Sequence, residues 1–205
     1  MATLAQQDSI HNHKLAPEDL YSLEQYARVR PDFRARVMAH KKNRQVAIGP
    51  NVTLYFEDRL TMQYQVQEML RIERIFEPEL VAHELETYNV LIPDGTNWKA
   101  TFMIEYPDAE ERRVALSRMK GIEQHIWVSV PGFERVYAIA DEDLERTDDT
   151  KTSAVHFLRF DLTPEIVRRV KEGADIEIGI DHEVYDHAVG IPPGVRDSLA
   201  GDLSD

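Results

Sequence analysis

The sequence contains no cysteine in its 205 residues. The chain therefore forms no disulfide, binds no zinc ion or iron–sulfur cluster through thiolates, and has no cysteine nucleophile. It also lacks an apolar run of about 18 residues, the length that spans a membrane. The first residues, MATLAQQDSIHNHK, do not contain the apolar segment of a signal peptide. Together these absences predict a cytoplasmic protein that does not enter a membrane.

The motifs that mark the commonest enzyme classes are absent as well. There is no P-loop, no glycine signature for dinucleotides, no nucleophile elbow and no HExxH motif. The nearest approach is Ala82–Glu86, which lacks the second histidine. Glu79, His83 and Glu86 share one face of a predicted helix, but its apolar residues lie on the opposite face, so we expect the charged face to be in water. The sequence therefore predicts neither a metal nor another cofactor, and it leaves open whether the protein is an enzyme.

Positive charge is scarce, because 24 lysines and arginines stand against 37 acidic residues and give a net charge of −13. The field of such a chain repels phosphates, so we expect no nucleic acid and no anionic membrane as partners. One segment, from Arg28 to Arg44, is basic and contains a single acid, Asp32. Its side chains either pair with acidic residues elsewhere in the chain or bind a phosphate, a nucleotide or an acidic partner.

The order of the predicted elements indicates an α+β protein. Residues 1–13 are predicted to be a flexible polar tail, and residues 14–205 a single domain without repeats or linkers. We expect N-terminal helices, the first of which ends before Pro31, and then a β-hairpin within Gln45–Phe56. Strands that are adjacent in sequence or separated by one helix favour a mostly antiparallel sheet, here packed around a long central helix. An exposed edge of that sheet is compatible with a homo-oligomer.

The predicted central helix, Glu57–Phe76, carries apolar residues almost all round its circumference. Such a helix is expected to be buried on most sides, including at Ile72 and Phe76. It also carries polar residues, which need partners when they are buried. We select seven of them as candidate ligand-binding residues: Arg59, Gln63, Gln67, Glu68, Arg71, Glu73 and Arg74. They either bond one another and neighbouring backbone as a structural network, or line a cleft for an anionic small molecule or an acidic peptide.

His182 is the eighth candidate. Alternation along the predicted strand that contains Ile178 and Ile180 places His182 on the buried side of the sheet. A histidine in that position is usually a hydrogen-bonded core residue. The alternative is a general base, with Asp181 or Tyr185 nearby.

Seven segments of the sequence are distinctive. They are Lys41–Arg44, Ile48–Pro50, Phe56–Arg59, Gln63–Ile75, Ile92–Thr96, Lys99–Thr101 and the pair Asp181–His182 with Tyr185. They resemble an uncharacterised bacterial family that is known only as a domain of unknown function, and the resemblance covers nearly the whole chain after the tail. Genes of that family are often found beside those for rubrerythrin-like proteins and iron–sulfur oxidoreductases. The resemblance therefore implies a role in redox or peroxide-stress physiology, with a redox protein as partner.

Two classes of function remain open. The first is a binding or accessory protein that docks on a partner protein. The second is a small-ligand sensor or a cofactor-free enzyme with a polar cleft around helix 57–76. We favour the first class because the sequence shows no nucleophile or oxyanion arrangement beside a base.

Overall fold

The computed structural model describes residues 14–142, 146–148 and 150–204. The predicted flexible tail, residues 1–13, lies outside the described residues. The helices are α1 (Leu23–Lys41), α2 (Arg59–Glu73), α3 (Pro78–Asn89), α4 (Ala109–Arg118), α5 (Pro164–Lys171) and α6 (Pro193–Ala200). The strands are β1 (Gln45–Ala47), β2 (Val52–Glu57), β3 (Asn97–Ile104), β4 (Ile126–Ser129), β5 (Val136–Tyr137), β6 (Ile139–Ala140), β7 (Val155–Asp161), β8 (Glu177–His182) and β9 (Tyr185–Gly190). None of the helices in these ranges is long and apolar enough to cross a membrane.

The strands form two antiparallel sheets. One has the order β1-β2-β3-β7-β6 and the other the order β5-β4-β8-β9. The predicted hairpin is β1 and β2, in which Gln45 lies opposite Tyr55. The chain reverses at Gly49, whose φ of 69° suits glycine because it has no Cβ atom. The predicted α+β class with antiparallel strand pairing is confirmed, and the strands form two sheets where we predicted one.

The main apolar core is shared by both sheets. Strand β3 contributes four side chains to this core, those of Trp98, Ala100, Phe102 and Ile104. Lys99, between two of them, lies on the other face of the strand. The inward residues of both sheets form one cluster with side chains from α4, α5 and α6. Each large apolar side chain buried there contributes on the order of 1.5–3 kcal/mol, so this cluster dominates the stability of the fold. The outer face of β3 is left to be covered by other elements.

Helix α1 continues through Pro31, so the prediction of a helix that ends before this residue is wrong. The helix begins after Ser22, whose hydroxyl accepts a hydrogen bond from the backbone N–H of Gln25, and the Gln25 side chain completes the capping box. Proline inside a helix removes a backbone hydrogen bond. However, Tyr26 before Pro31 and Phe33 after it are both buried in one cluster with side chains of α2. Packing on both sides of the proline therefore outweighs its local penalty.

Helix α2 begins after Asp58, whose carboxylate accepts a hydrogen bond of 2.8 Å from the backbone N–H of Thr61. It ends at Glu73, and the capping residue Arg74 that follows is in the left-handed conformation. Its apolar side chains belong to two small clusters, one with α3 and one with α1. Ile72 is 59% exposed and Phe76, beyond the helix end, is 72% exposed. The expected burial at these two positions is wrong, because the two clusters leave the C-terminal end of α2 uncovered.

A buried ion pair fastens the start of the hairpin to the C-terminal segment. Arg44 is 2% exposed, and its guanidinium donates to both carboxylate oxygens of Asp202 at 3.0 and 2.6 Å. It also donates to the backbone carbonyls of Phe56 and Glu57. Burial raises the pKa of Asp202 to about 6, while Arg44 opposes the rise. The two hydrogen bonds from the guanidinium are those that an ionised carboxylate accepts from an arginine.

Candidate functional site

The amide side chains of α2 are bonded to the N-terminal segment. Gln67 is fully buried; its Oε1 accepts from the backbone N–H of Tyr21 at 2.6 Å, and its Nε2 donates to the carbonyl of the same residue at 3.3 Å. Gln63 donates to the backbone carbonyl of Asp19 at 2.6 Å. Arg59 forms an ion pair of 2.5 Å with the Asp19 carboxylate. These three candidates thus hold the residues that precede α1 against α2.

Glu68 lies in a second network, between α1 and α2. Its carboxylate accepts hydrogen bonds from the hydroxyl of Tyr26 at 2.7 Å and from the guanidinium of Arg30 at 2.7 and 2.8 Å. Arg71, which is 40% exposed, approaches the same carboxylate at 3.3 Å. The hydrogen bonds from Arg30 are the largest influence on Glu68 and lower its pKa to about 2. Burial, followed by the neighbouring carboxylate, raises the pKa of Tyr26.

The last two candidates of the helix are at its C-terminal end. Glu73 is the final residue of α2 and is exposed. Arg74 is the exposed capping residue that follows. The candidates on and beside α2 are therefore either bonded within the chain or on the surface.

His182 is on β8, in the four-stranded sheet, and not beside α2. It is buried; its Nε2 donates to the carbonyl of Lys120 at 3.1 Å, and the backbone N–H of Val184 donates to its Nδ1 at 3.4 Å. Both ring nitrogens are therefore engaged, as in a structural core histidine. The more accessible imidazole beside it is His125, whose Nδ1 lies 3.2 Å from Asp181. The sequence alone does not indicate His125, because only the pairing of β4 with β8 brings it to Asp181.

The structure contains a cleft with a volume of about 680 Å³ between α3 and the outer face of the five-stranded sheet. Its walls combine aromatic and aliphatic side chains with several charged ones. The lining residues are Glu86, Thr87, Tyr88, Val90, Leu91, Lys99, Glu142, Arg146, Phe157, Leu158 and Arg159. A volume in this range suits a small-molecule ligand.

Lys99 is one of the charged residues that line this cleft. It extends from the outer face of β3, opposite Arg159 in the register with β7. It is half-buried and makes no hydrogen bond or ion pair with any residue that the structure describes. Burial lowers the pKa of Lys99; Glu142 opposes this effect, while Arg159 and Lys14 add to it. Lys99 is thus partly desolvated, and among the described residues the acids that raise its pKa form no ion pair with it.

The two arginines of the cleft differ from Lys99 because they already have acidic partners. Arg159 donates to both oxygens of Glu142 at 2.9 and 2.7 Å. Arg146 forms an ion pair of 3.1 Å with Asp141, and its guanidinium lies 4.7 Å from the centroid of the Phe157 ring. Lys99 is therefore the cation of the cleft that is available to a ligand.

A second hollow, with a volume of about 500 Å³, adjoins α4. Its charged lining includes Asp108, Glu110 and Glu111, all of them exposed to water. Among the residues that the structure describes, no group of three or more histidines and acids is placed to hold a metal ion. The charged groups of this hollow are all in water, whereas Lys99 is half-buried, so we consider the Lys99 cleft the stronger candidate site.

Comparison with known proteins supports the resemblance seen in the sequence. The model of a family described as "Protein of unknown function (DUF3501)" matches residues 14–203. The chain belongs to this family. A solved structure from Burkholderia pseudomallei K96243, described as a novel protein of unknown function, is 50% identical in sequence and has a TM-score of 0.89. The similarity covers 94% of this chain and 100% of that one. No curated protein matches the chain significantly.

Membership of the DUF3501 family confirms the family resemblance and leaves the function of the chain unknown. The sequence contains one signal for the cleft. Lys99 interrupts the apolar residues Trp98 and Ala100 in a strand, so alternation alone places it on the face opposite the core. What covers that face depends on the position of α3, which the sequence does not specify.

Proposed function

We propose that this member of the DUF3501 family is a cytoplasmic binding protein whose cleft receives a small molecule with an anionic group and an apolar body. The observation that carries the proposal is the half-buried ammonium of Lys99, which has no ion pair within the described residues. Partial burial of an unpaired charge is unfavourable. A carboxylate, sulfonate or phosphate at this position would compensate the charge and form a charge-assisted hydrogen bond.

The remaining walls of the cleft favour an apolar body for the ligand. Tyr88 and Leu91 on one side and Phe157 on the other supply aromatic and aliphatic surface. Pockets for small molecules combine such surface with a few polar groups that orient the ligand. The cleft adjoins α3, one helix beyond the helix 57–76 that the sequence suggested for this role.

The gene neighbourhood implied by the family resemblance supports an accessory role in redox or peroxide-stress physiology. In this setting the ligand is a signal or an intermediate that the protein holds for a redox enzyme.

A second candidate function is direct docking on a protein partner of that neighbourhood. Ile72, Phe76 and Leu80 are 59%, 72% and 49% exposed within nine positions of the chain, which is unusual for large apolar side chains. The partner of this second proposal is a rubrerythrin-like protein encoded beside this gene. The purified partner should bind the wild-type chain, and it should bind the Phe76→Ser variant at least about tenfold more weakly because an interface anchor is lost. Equal binding of the wild type and the variant, or binding of neither, would contradict the docking proposal.

The anion-binding proposal is tested with anilinonaphthalene sulfonate, a fluorescent probe that combines an aromatic body with a sulfonate. We expect saturable binding to the wild-type protein. Replacement of Lys99 by methionine should weaken this binding about tenfold or more, since a charge-assisted hydrogen bond contributes about 1.5–3 kcal/mol.

The control variant is Lys42→Met, which makes the same substitution at an exposed lysine outside the cleft. It should bind the probe as the wild type does. Circular dichroism establishes that both variants are folded. Equal affinity for wild type and Lys99→Met would contradict the proposal.

A further inference from the structure

We propose that β9, the edge strand of the four-stranded sheet, pairs with β9 of a second copy of the chain and so forms a two-fold symmetric dimer. The inference concerns a surface outside the Lys99 cleft and does not rest on the proposed function. An edge strand presents unpaired N–H and C=O groups, which are a template for pairing with another chain. β8 pairs with one side of β9, and no strand within the described residues pairs with its other side.

A hydrogen bond at the end of β9 shows which of its backbone groups point away from the sheet. The N–H of Ile191 donates to the carbonyl of Ile176, which precedes β8, at 2.8 Å. The direction of backbone groups alternates along a strand, so every second residue of β9 faces β8 and the others face outward. The outward set consists of Asp186, Ala188 and Gly190.

The register with β8 leads to the same outward set. Asp181 of β8 lies opposite Asp186, yet its N–H donates to the carbonyl of His125, on the far side of β8, at 3.2 Å. The backbone groups of Asp181 and Asp186 therefore point away from each other. Asp186, Ala188 and Gly190 are all exposed, and a Cβ atom added to Gly190 would have no neighbour within 4 Å. The outer side of β9 is thus open to an approaching strand.

Strand β9 lacks the features that protect sheet edges from pairing. The other strands at the sheet edges are short, with three residues in β1 and two each in β5 and β6, whereas β9 has six. Lysine, proline and bulges also protect an edge. The sequence of β9, YDHAVG, contains neither lysine nor proline, and its register with β8 is uninterrupted. Of the four edges, β9 is therefore the one suited to pairing.

The side chains of β9 fit a second copy of the same strand. In an antiparallel pair with Ala188 on the two-fold axis, Asp186 lies opposite Gly190 of the partner subunit. His187 lies opposite Val189 of the partner subunit. The outward residues then oppose one another, and each such pair exchanges two backbone hydrogen bonds. No acid is opposite an acid, whereas an axis at Asp186 would oppose two carboxylates. The strand is thus self-complementary, as a two-fold interface requires.

Sedimentation velocity over a range of concentrations tests for this dimer, whose mass is twice the 23.7 kDa of the chain. We expect the wild type to dimerise, and to do so more tightly at high salt, because salt screens the repulsion between two chains of charge −13. Ala188→Pro should weaken association at least about tenfold, because it removes both hydrogen bonds at the axis. The Ala188 N–H does not face β8, so proline is compatible with the monomer.

The matched control is Ala47→Pro, the same substitution on the edge strand β1. The N–H of Ile48 donates to Val52 across the hairpin at 2.9 Å, so the N–H of the preceding Ala47 points away from β2. This variant should dimerise as the wild type does. Circular dichroism establishes that both proline variants are folded.

The variants Ala188→Lys and Ala188→Glu test the register without proline. Each variant alone opposes two like charges at the axis, whereas a mixed dimer opposes a positive and a negative charge. The mixture should therefore associate at least about fivefold more tightly than either variant alone. The measurement uses about 0.1 M salt, whose Debye length of about 10 Å exceeds the spacing of opposed side chains.

Three results would overturn the inference. A wild type that is monomeric at about 0.2 mM would leave the edge of β9 to a different chain and exclude self-pairing. A folded Ala188→Pro variant that dimerises as tightly as the wild type would place the dimer interface elsewhere. A mixture of Ala188→Lys and Ala188→Glu that associates no better than either variant alone would exclude the pairing of Ala188 with its own copy.

Discussion

Replacement of Glu68 by glutamine tests whether the polar network between α1 and α2 is structural. The substitution keeps the shape of the side chain and one acceptor for the hydroxyl of Tyr26, but removes the charge that pairs with Arg30. The pKa of Glu68 is lowered from 4.5 to about 2, mainly by its hydrogen bonds with Arg30. A shift of this size corresponds to at most about 3 kcal/mol of stabilisation of the ionised form. Because the Arg30 side chain is one-third exposed, water screens the pair, and we expect a loss of about 1–2 kcal/mol at neutral pH.

The sign of the pH dependence follows from the direction of the shift. A carboxyl whose pKa is lower in the folded state stabilises the fold above its ordinary pKa of 4.5, and this contribution is lost as the pH falls toward about 2. The difference between wild type and Glu68→Gln should therefore shrink on acidification. Urea unfolding followed by circular dichroism, at about pH 7 and at about pH 3.5, measures this difference in the free energy of unfolding.

The matched control is Glu73→Gln, the same substitution at an exposed position of the same helix. We expect it to change the free energy of unfolding by less than about 0.5 kcal/mol. The reasoning is refuted if Glu68→Gln is as stable as the wild type at neutral pH, or if its loss is the same at both pH values.

Two further substitutions test the packing of the fold. Gly179→Ala should lower the free energy of unfolding by about 1–3 kcal/mol, because its Cβ atom would lie 2.3 Å from the ring of Trp127. The control is Gly190→Ala in the adjacent strand, where an added Cβ atom has no neighbour within 4 Å and should barely change stability. Thermal unfolding measures both variants, and equal melting temperatures would contradict this account. Arg44→Met should cost about 3–5 kcal/mol in urea unfolding, because it leaves the carboxylate of Asp202 buried without its partner. A loss below about 1 kcal/mol would show that water replaces the guanidinium.

The sequence predicted the parts of the fold that depend on local patterns. The β-hairpin within Gln45–Phe56 could be predicted because turn chemistry is local. The course of α1 through Pro31 could not be predicted in this way, because packing against α2 outweighs the preference of a single residue. The composition of α2 suggested burial on most sides, but composition does not reveal that neighbouring helices leave Ile72 uncovered.

The candidate site was less predictable than the fold. Gln67 was selected because its amide sits in an apolar helix, and the structure places it against the backbone of Tyr21. A buried polar side chain has the same sequence signature whether its partner is the protein or a ligand. Lys99 and Phe157 come together only through the pairing of β3 with β7 and the placement of α3. A lysine in a strand does not by itself indicate a cleft.

The most direct test of the account is the titration of the Lys99 side chain, followed by nuclear magnetic resonance of lysines labelled with carbon-13 at Cε. The Lys99→Arg variant assigns the signal by removing it. We predict that Lys99 titrates below the exposed lysines in the free protein, because burial lowers its pKa. Saturation with anilinonaphthalene sulfonate should raise that pKa, since an adjacent anion stabilises the ammonium form. A Lys99 signal that titrates with the exposed lysines and does not move when the probe is added would contradict the account.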